Sequence, residues 1–189
     1  MYLSAVAFLF TASALLASAA PTPTENLQPR ACTTIYPDIA RVEEARPVES
    51  YLPGFIASQS EGNTNNKDAF AEFTVPDGHW GCTLQAYWPQ NYPIQRTGND
   101  LVYVYSVQAP LSRSPRGIDI SWAYSPVPGA HIGTVRFQSA SWGPSTQWIN
   151  SVTCAPKLAF RFAIGETGAG SIEFNQQAGV AGLRLTYDC

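Results

Sequence analysis

Apolar residues recur at every second position through most of this 189-residue chain, and that period fixes the kind of element it can build. Ala71, Phe73 and Val75 alternate with Glu72 and Thr74, and Cys82, Leu84, Ala86 and Trp88 with Thr83 and Gln85. Ile118, Ile120 and Trp122 do so around Asp119 and Ser121. Leu158, Phe160, Phe162 and Ile164, then Ile172 and Phe174, then Leu183, Leu185 and Tyr187 repeat the pattern. Successive side chains of a strand point to opposite faces, so each run predicts a half-buried strand. Leu101–Val107 is apolar on both faces and predicts a central strand. Turn formers separate the runs at Pro76-Asp77-Gly78, Gly98-Asn99-Asp100, Pro128-Gly129, Gly143-Pro144 and Gly165–Gly170. Seven or more short strands punctuated in this way predict an all-β fold, an antiparallel β-sandwich of jelly-roll-like form. Only Asp38–Ser50 has the pattern of a helical turn or two, ended by Pro47, and Gln59–Lys67 reads as a polar loop.

Four cysteines, Cys32, Cys82, Cys154 and Cys189, stand far apart, without the close pairs of a zinc site. Three connectivities are possible. Cys32–Cys189 with Cys82–Cys154 is favoured, because the outer two lie at the ends of the folded region and the inner two border predicted strands. Such bonds belong to oxidising compartments.

The N-terminal residues point to the same compartment. Leu3–Leu16 is a short apolar run, Ala17, Ser18 and Ala19 give a small-x-small cleavage pattern, and Pro21 and Pro23 stop a helix. Residues 1–19 read as a signal peptide, with cleavage there or at 20. Residues 20–30 are either a propeptide cut after Arg30 or a disordered tail, and 31–189 have the size of a single domain. The apolar run is too short to span a bilayer, and Leu183–Cys189 alternates like a strand instead of forming the tail of a lipid-anchor signal. The expectation is a secreted protein, extracellular or wall-associated, without a membrane anchor.

Charged residues make up 13% of the chain, about half the usual ~25%, which leaves few groups for charged ligands. A net charge of −3 and the lack of a Lys/Arg cluster argue against nucleic acid as a partner.

The ordered set Asp68–Pro76, Gly81-Cys82-Thr83-Leu84, Trp88-Pro89, Gly98 and Val102–Ser106 resembles the first half of the fungal But-two-type domain. Gly133-Thr134, Asn150–Cys154, Phe160-Arg161-Phe162, Ile172-Glu173-Phe174 and Gly182–Cys189 resemble its second half. That family takes its name from the C-terminal domain of a ubiquitin-pathway binding protein. The resemblance covers about Cys32 to Cys189 and implies a β-sandwich from a mostly secreted fungal family, with no catalytic residue carried over. Ser121–Thr134 is similar to patterns in some jelly-roll carbohydrate-binding modules.

Aromatic side chains are the candidate binding groups, since flat faces stack on sugar rings while neighbouring polar groups give direction. Trp142 and Trp148, in a polar turn-containing segment, lead, followed by Trp80 and Tyr124, with Tyr87 and Tyr92 weaker. Trp88 and Trp122 share the parity of core residues. Catalysis finds little support. There is no Gly-x-Ser-x-Gly elbow, no cysteine is left over, and His79 and His131 stand in separate segments without a metal-ligand pattern. Neither a metal nor a cofactor is expected. A glycosidase needs two facing carboxylates, for which Glu72, Asp77, Asp119, Glu166 and Glu173 are the candidates. Glu72, Asp119 and Glu173 read more simply as solvated strand faces. The sequence thus favours a monomeric, non-catalytic module that binds wall or extracellular carbohydrate. The alternative is an extracellular protein partner, for which Arg113–Gly117 is a candidate basic loop, and a polysaccharide hydrolase comes third.

Overall fold

The computed structural model describes residues 31–189, so the expected signal peptide and the 20–30 segment lie outside the described residues. The strands are β1 (Thr33–Ile35), β2 (Asp38–Glu43), β3 (Phe55–Ser60), β4 (Thr64–Thr74), β5 (Thr83–Trp88), β6 (Gln95–Gly98) and β7 (Val102–Val107). They continue with β8 (Arg113–Ser114), β9 (Gly117–Ile118), β10 (His131–Val135), β11 (Ser145–Ser151), β12 (Lys157–Ile164), β13 (Gly170–Phe174) and β14 (Gly182–Tyr187). One 3-10 turn, Trp122–Tyr124, interrupts them. A four-stranded sheet runs β1-β14-β5-β11, and a larger one runs β10-β7-β12-β4-β3-β13-β6, with β2 added along β4. Among the described residues every strand pairing is antiparallel. Strand β4 is the hub of the larger sheet. Its Lys67 faces Glu43 of β2 across one edge and Ser58 of β3 across the other, while further along Ala69 faces Phe162 of β12.

The alternation seen in the sequence fills the space between the sheets. Leu84, Ala86 and Trp88 of β5 and Leu183 and Leu185 of β14 meet Phe55, Phe73, Phe160, Phe162, Ile172 and Phe174 of the larger sheet, all buried. Phe174 stacks on Phe55 at 4.1 Å between ring centroids and takes Trp88 edge-on at 4.7 Å, so aromatic contact joins the two layers. Each such side chain contributes about 1.5–3 kcal/mol on burial. The expected antiparallel sandwich is therefore the fold, closed by Cys32–Cys189 and Cys82–Cys154 with Cα separations of 4.4 and 5.2 Å. Two disulfides fit an extracellular protein. Among the described residues no helix is long and apolar enough to cross a membrane.

A second apolar cluster lies on the outer face of the larger sheet. Ala40, Val42, Phe70 and Ala159 are covered there by Leu111 and Ile120, with Ile118 and Trp122 packed against them. This covering excursion changes four readings. Glu72 is not a solvated strand residue: it is 2% exposed, accepts from the Leu111 backbone N at 2.6 Å and from Arg113 Nη2 at 2.5 Å, and lies 3.6 Å from Lys157 Nζ. Arg113 therefore holds the excursion down and does not furnish a free basic loop. Ile118, Ile120 and Trp122 alternate, yet only Gly117–Ile118 is strand; the chain then enters the 3-10 turn, because these side chains seal an existing face. Asp38–Glu43 is a strand, not a helical turn, since Ile39 faces the inter-sheet core, Ala40 and Val42 face the second cluster, and Glu43 meets Arg41 and Lys67 at 3.5 and 3.3 Å.

Two further segments differ from expectation. Gln59–Lys67 is a hairpin in which β3 and β4 run into the polar stretch, turning at residues 61–63 with Gly62 and Asn63 at φ of 74° and 59°. Leu101–Val107 lies inside the larger sheet, between β10 and β12, but only Val102 and Val104 are buried. Tyr103 and Tyr105 remain half-buried on the outer side, and the strand buried on both faces is β4.

Candidate functional site

Strand β5 buries Leu84, Ala86 and Trp88, so Thr83, Gln85 and Tyr87 must point out of the sandwich; β14 likewise presents Arg184 between buried Leu183 and Leu185. The register places Trp148 of β11, Gln85 and Arg184 side by side across three strands, with Thr146 beside Tyr87 in the next row. Arg184 lies along this surface. Its guanidinium carbon stands 4.8 Å from the centre of the Tyr87 ring, Nε donates to Gln85 Oε1 at 3.1 Å, and Nη2 donates to Thr146 Oγ1 at 3.1 Å. Stacking over the ring and bonding both neighbours keeps the planar group flat, as a lysine could not. Beside it Trp148 is 61% exposed. The result is a shallow platform of an indole, a tyrosine ring, a guanidinium, an amide and a hydroxyl.

Gln147 fixes this edge. Its Oε1 accepts from Trp88 Nε1 at 2.8 Å and from the Gln138 backbone N at 3.2 Å, and its Nε2 donates to the Arg136 carbonyl at 2.7 Å. With Gln147 turned inward, strand alternation holds Trp148 outward and puts Ile149 in the core, and the ladder bulges between Trp148 and Asn150. The preceding loop, which carries Trp142, is tied to the turn after β5. Asn91 N donates to the Ala140 carbonyl at 2.9 Å, Gln90 Nε2 to the Ser141 carbonyl at 2.6 Å, and Ser139 Oγ to the Tyr92 carbonyl at 2.8 Å. Trp142 is 82% exposed on this anchored loop and, with Gln138, Ser145 and Gln147, borders a depression of about 370 Å³.

All four leading aromatic candidates are solvent-facing, but they do not form one cluster. Trp148 is on the platform and Trp142 on the loop entering the same strand. Trp80 lies ahead of β5, where its backbone N donates to Asp188 Oδ1 at 3.2 Å and its carbonyl accepts from Asp188 N at 2.9 Å. Tyr124 is on the opposite side of the sandwich, in the 3-10 turn that follows the second cluster. Of the weaker pair, Tyr87 belongs to the platform, whereas Tyr92 packs on Trp88 at 5.6 Å and donates to the Asn175 carbonyl at 2.8 Å. Burial raises the Tyr92 hydroxyl above its ordinary pKa of 10.0. Trp88 is in the core and Trp122 against the second cluster, as their parity implied.

The histidines are not lone surface groups. His79 Nδ1 meets Asp188 Oδ2 at 2.5 Å, and the His131 ring packs on Tyr103 and Tyr105 at 5.0 and 5.4 Å. Among the described residues no group of three or more His, Cys, Asp or Glu is placed to hold a metal ion. Arg184 was legible as an outward residue of its strand; that it stacks on Tyr87 was not, because the neighbour of β14 cannot be read from one sequence. Neither the protein-family models nor the curated proteins contain a match to this chain.

Proposed function

We propose that this chain is a secreted, non-catalytic module that binds wall or extracellular polysaccharide on the outer face of its four-stranded sheet. The observation that carries the reading is Trp148, 61% exposed on a strand face and flanked by a guanidinium held flat on Tyr87. A sugar ring has an apolar face and a polar rim. It stacks on the indole through the first and meets Arg184, Gln85 and Thr146 through the second. A shallow face suits a polymer laid along it more than a small enclosed ligand, and Trp142, exposed on the loop entering β11, offers a second aromatic contact. The net charge of −3 with few charged residues supports a neutral polymer over a polyanion. Kinship with the fungal But-two-type domain and removal of an N-terminal signal peptide belong to the same proposal and rest on the ordered motifs and the N-terminal run.

The test is a pull-down of the purified protein on insoluble chitin, β-glucan, cellulose and mannan, with Trp148→Ala and Trp142→Ala beside it. Retention on one polymer, lost with Trp148→Ala, supports the reading. No retention on any of the four overturns it and redirects the search to an extracellular protein partner.

A further inference from the structure

The outer face of the larger sheet carries a second concavity, away from the platform. Tyr103 and Tyr105 alternate with buried Val102 and Val104, so both rings rise from β7 on this side. Arg161 of β12 pairs with Tyr105, and Ala163 pairs with Tyr103. Between the bulky rings and the neighbouring turns, the methyl of Ala163 leaves a hollow of about 390 Å³, within the range in which ligand pockets begin, about 300 Å³. Trp122 and Pro128 border it from the covering excursion, and Asn63 and Glu166 from two turns.

An ion pair forms part of the wall. Arg161 Nε and Nη2 reach Asp68 Oδ2 at 2.6 and 2.5 Å, and the guanidinium lies 5.0 Å from the Trp122 ring centre. Asp68 is 2% exposed, so the Arg161 guanidinium is tied to a carboxyl group locked beneath it. The polar tips that point elsewhere have a different status. The Tyr103 and Tyr105 hydroxyls, Trp122 Nε1 and the Glu166 carboxylate make no hydrogen bond to the protein among the described residues, whereas the polar tips of buried Trp88 and half-buried Tyr92 do. Half-buried aromatic groups with unspent donors and acceptors around a hollow are what a ligand with both an apolar face and hydroxyl groups requires.

We propose that this cleft binds a single neutral sugar unit, either free or at the end of a chain. Its ring face lies against Tyr103, Tyr105 and Trp122, and its hydroxyls engage the tyrosine hydroxyls, the indole N–H and Glu166. Anionic sugars are disfavoured, because Glu166 adds a negative charge while Arg161 is already tied to Asp68. The site shares no residue with the platform and does not depend on that reading.

The test is an NMR titration of the purified protein, with both disulfides formed, against the methyl glycosides of glucose, mannose, galactose and N-acetylglucosamine, and against glucuronate. The proposal expects saturable shifts with at least one neutral glycoside, undiminished in Trp148→Ala. It expects about fivefold weaker binding in each of Tyr103→Phe, Tyr105→Phe and Glu166→Gln, changes that keep the ring or the side-chain shape, and weaker binding of glucuronate than of the neutral sugar. No saturable shift with any neutral glycoside overturns it. So do shifts abolished by Trp148→Ala, shifts unaffected by all three cleft variants, or tighter binding of glucuronate.

Discussion

Trp88 Nε1 donates to Gln147 Oε1 at 2.8 Å, so the largest side chain of the core is bonded to the residue immediately before the exposed Trp148. The same amide holds the backbone at Arg136 and Gln138. Core packing and platform geometry therefore share one side chain. Gln147→Leu leaves the buried indole N–H without an acceptor, at a cost of about 1–3 kcal/mol, and removes the ties to Arg136 and Gln138 at the start of the segment that carries Trp142. Urea unfolding gives the first effect, and weaker polysaccharide retention under native conditions gives the second. Gln147→Glu keeps the acceptor for Trp88 and is expected to lose less stability.

Trp142 is 82% exposed, so its replacement by alanine should cost no more than about 0.5 kcal/mol, whereas Trp148, 61% exposed on a paired strand, should cost about 1–2 kcal/mol. Retention should fall far more with Trp148→Ala than stability does. Equal loss of folding and retention would place the indole in the scaffold instead of the binding face.

Arg184→Lys retains the charge but loses the planar group that spans Tyr87, Gln85 and Thr146. The cation–π part is worth about 0.5–1 kcal/mol at a partly exposed site, which is a few-fold in affinity for each polymer segment. Depletion isotherms on the retaining polymer would read this; an unchanged isotherm would remove Arg184 from the binding face.

The Glu72 carboxylate is buried, with the Arg113 guanidinium bonded to it. The Arg113 guanidinium is held above its ordinary pKa by its bonds to Glu72 and Asp38. Arg113→Met leaves the buried carboxylate with only the Leu111 N–H and the more distant Lys157 ammonium, and is expected to destabilise by about 1–3 kcal/mol. Adding Glu72→Gln should recover part of that loss, and the double-mutant cycle in guanidinium unfolding measures the coupling.

Burial raises Asp68 above its ordinary pKa of 3.8, and the Arg161 guanidinium only partly opposes the shift. A carboxylate that binds its proton more tightly in the folded state makes its stabilising contribution at acid pH and loses it as pH rises from 3.8 through the raised value. Wild type should therefore gain on Asp68→Asn as pH falls across that window. Carboxyl-carbon NMR gives the midpoint directly, and a value at or below 3.8 would contradict the shift.

The strands were legible wherever one face is buried, because a period of two survives any choice of neighbour: β5, β12, β13 and β14 all fall on their alternating runs. The reading broke down where partners are distant in sequence. Asp38, Arg41 and Glu43 look like the charged face of a short helix until Lys67 and Arg113 are placed against them. Trp142 and Trp148 were found because tryptophan in a polar segment stands out. The cleft of Tyr103, Tyr105 and Arg161 was not, because each of these residues sits in a run that also reads as ordinary sheet.

The Cys32–Cys189 bond joins residues 157 positions apart, with Cα atoms 4.4 Å from each other, so the described fold is very nearly a covalent ring. A protease that cuts once inside a ring opens it without releasing a piece. A single nick at the Glu61–Asn63 turn or in the loop bearing Trp142 would leave every strand attached to every other. Sandwich and platform then persist after damage that would split an unbridged chain, a useful property wherever proteases share the same space.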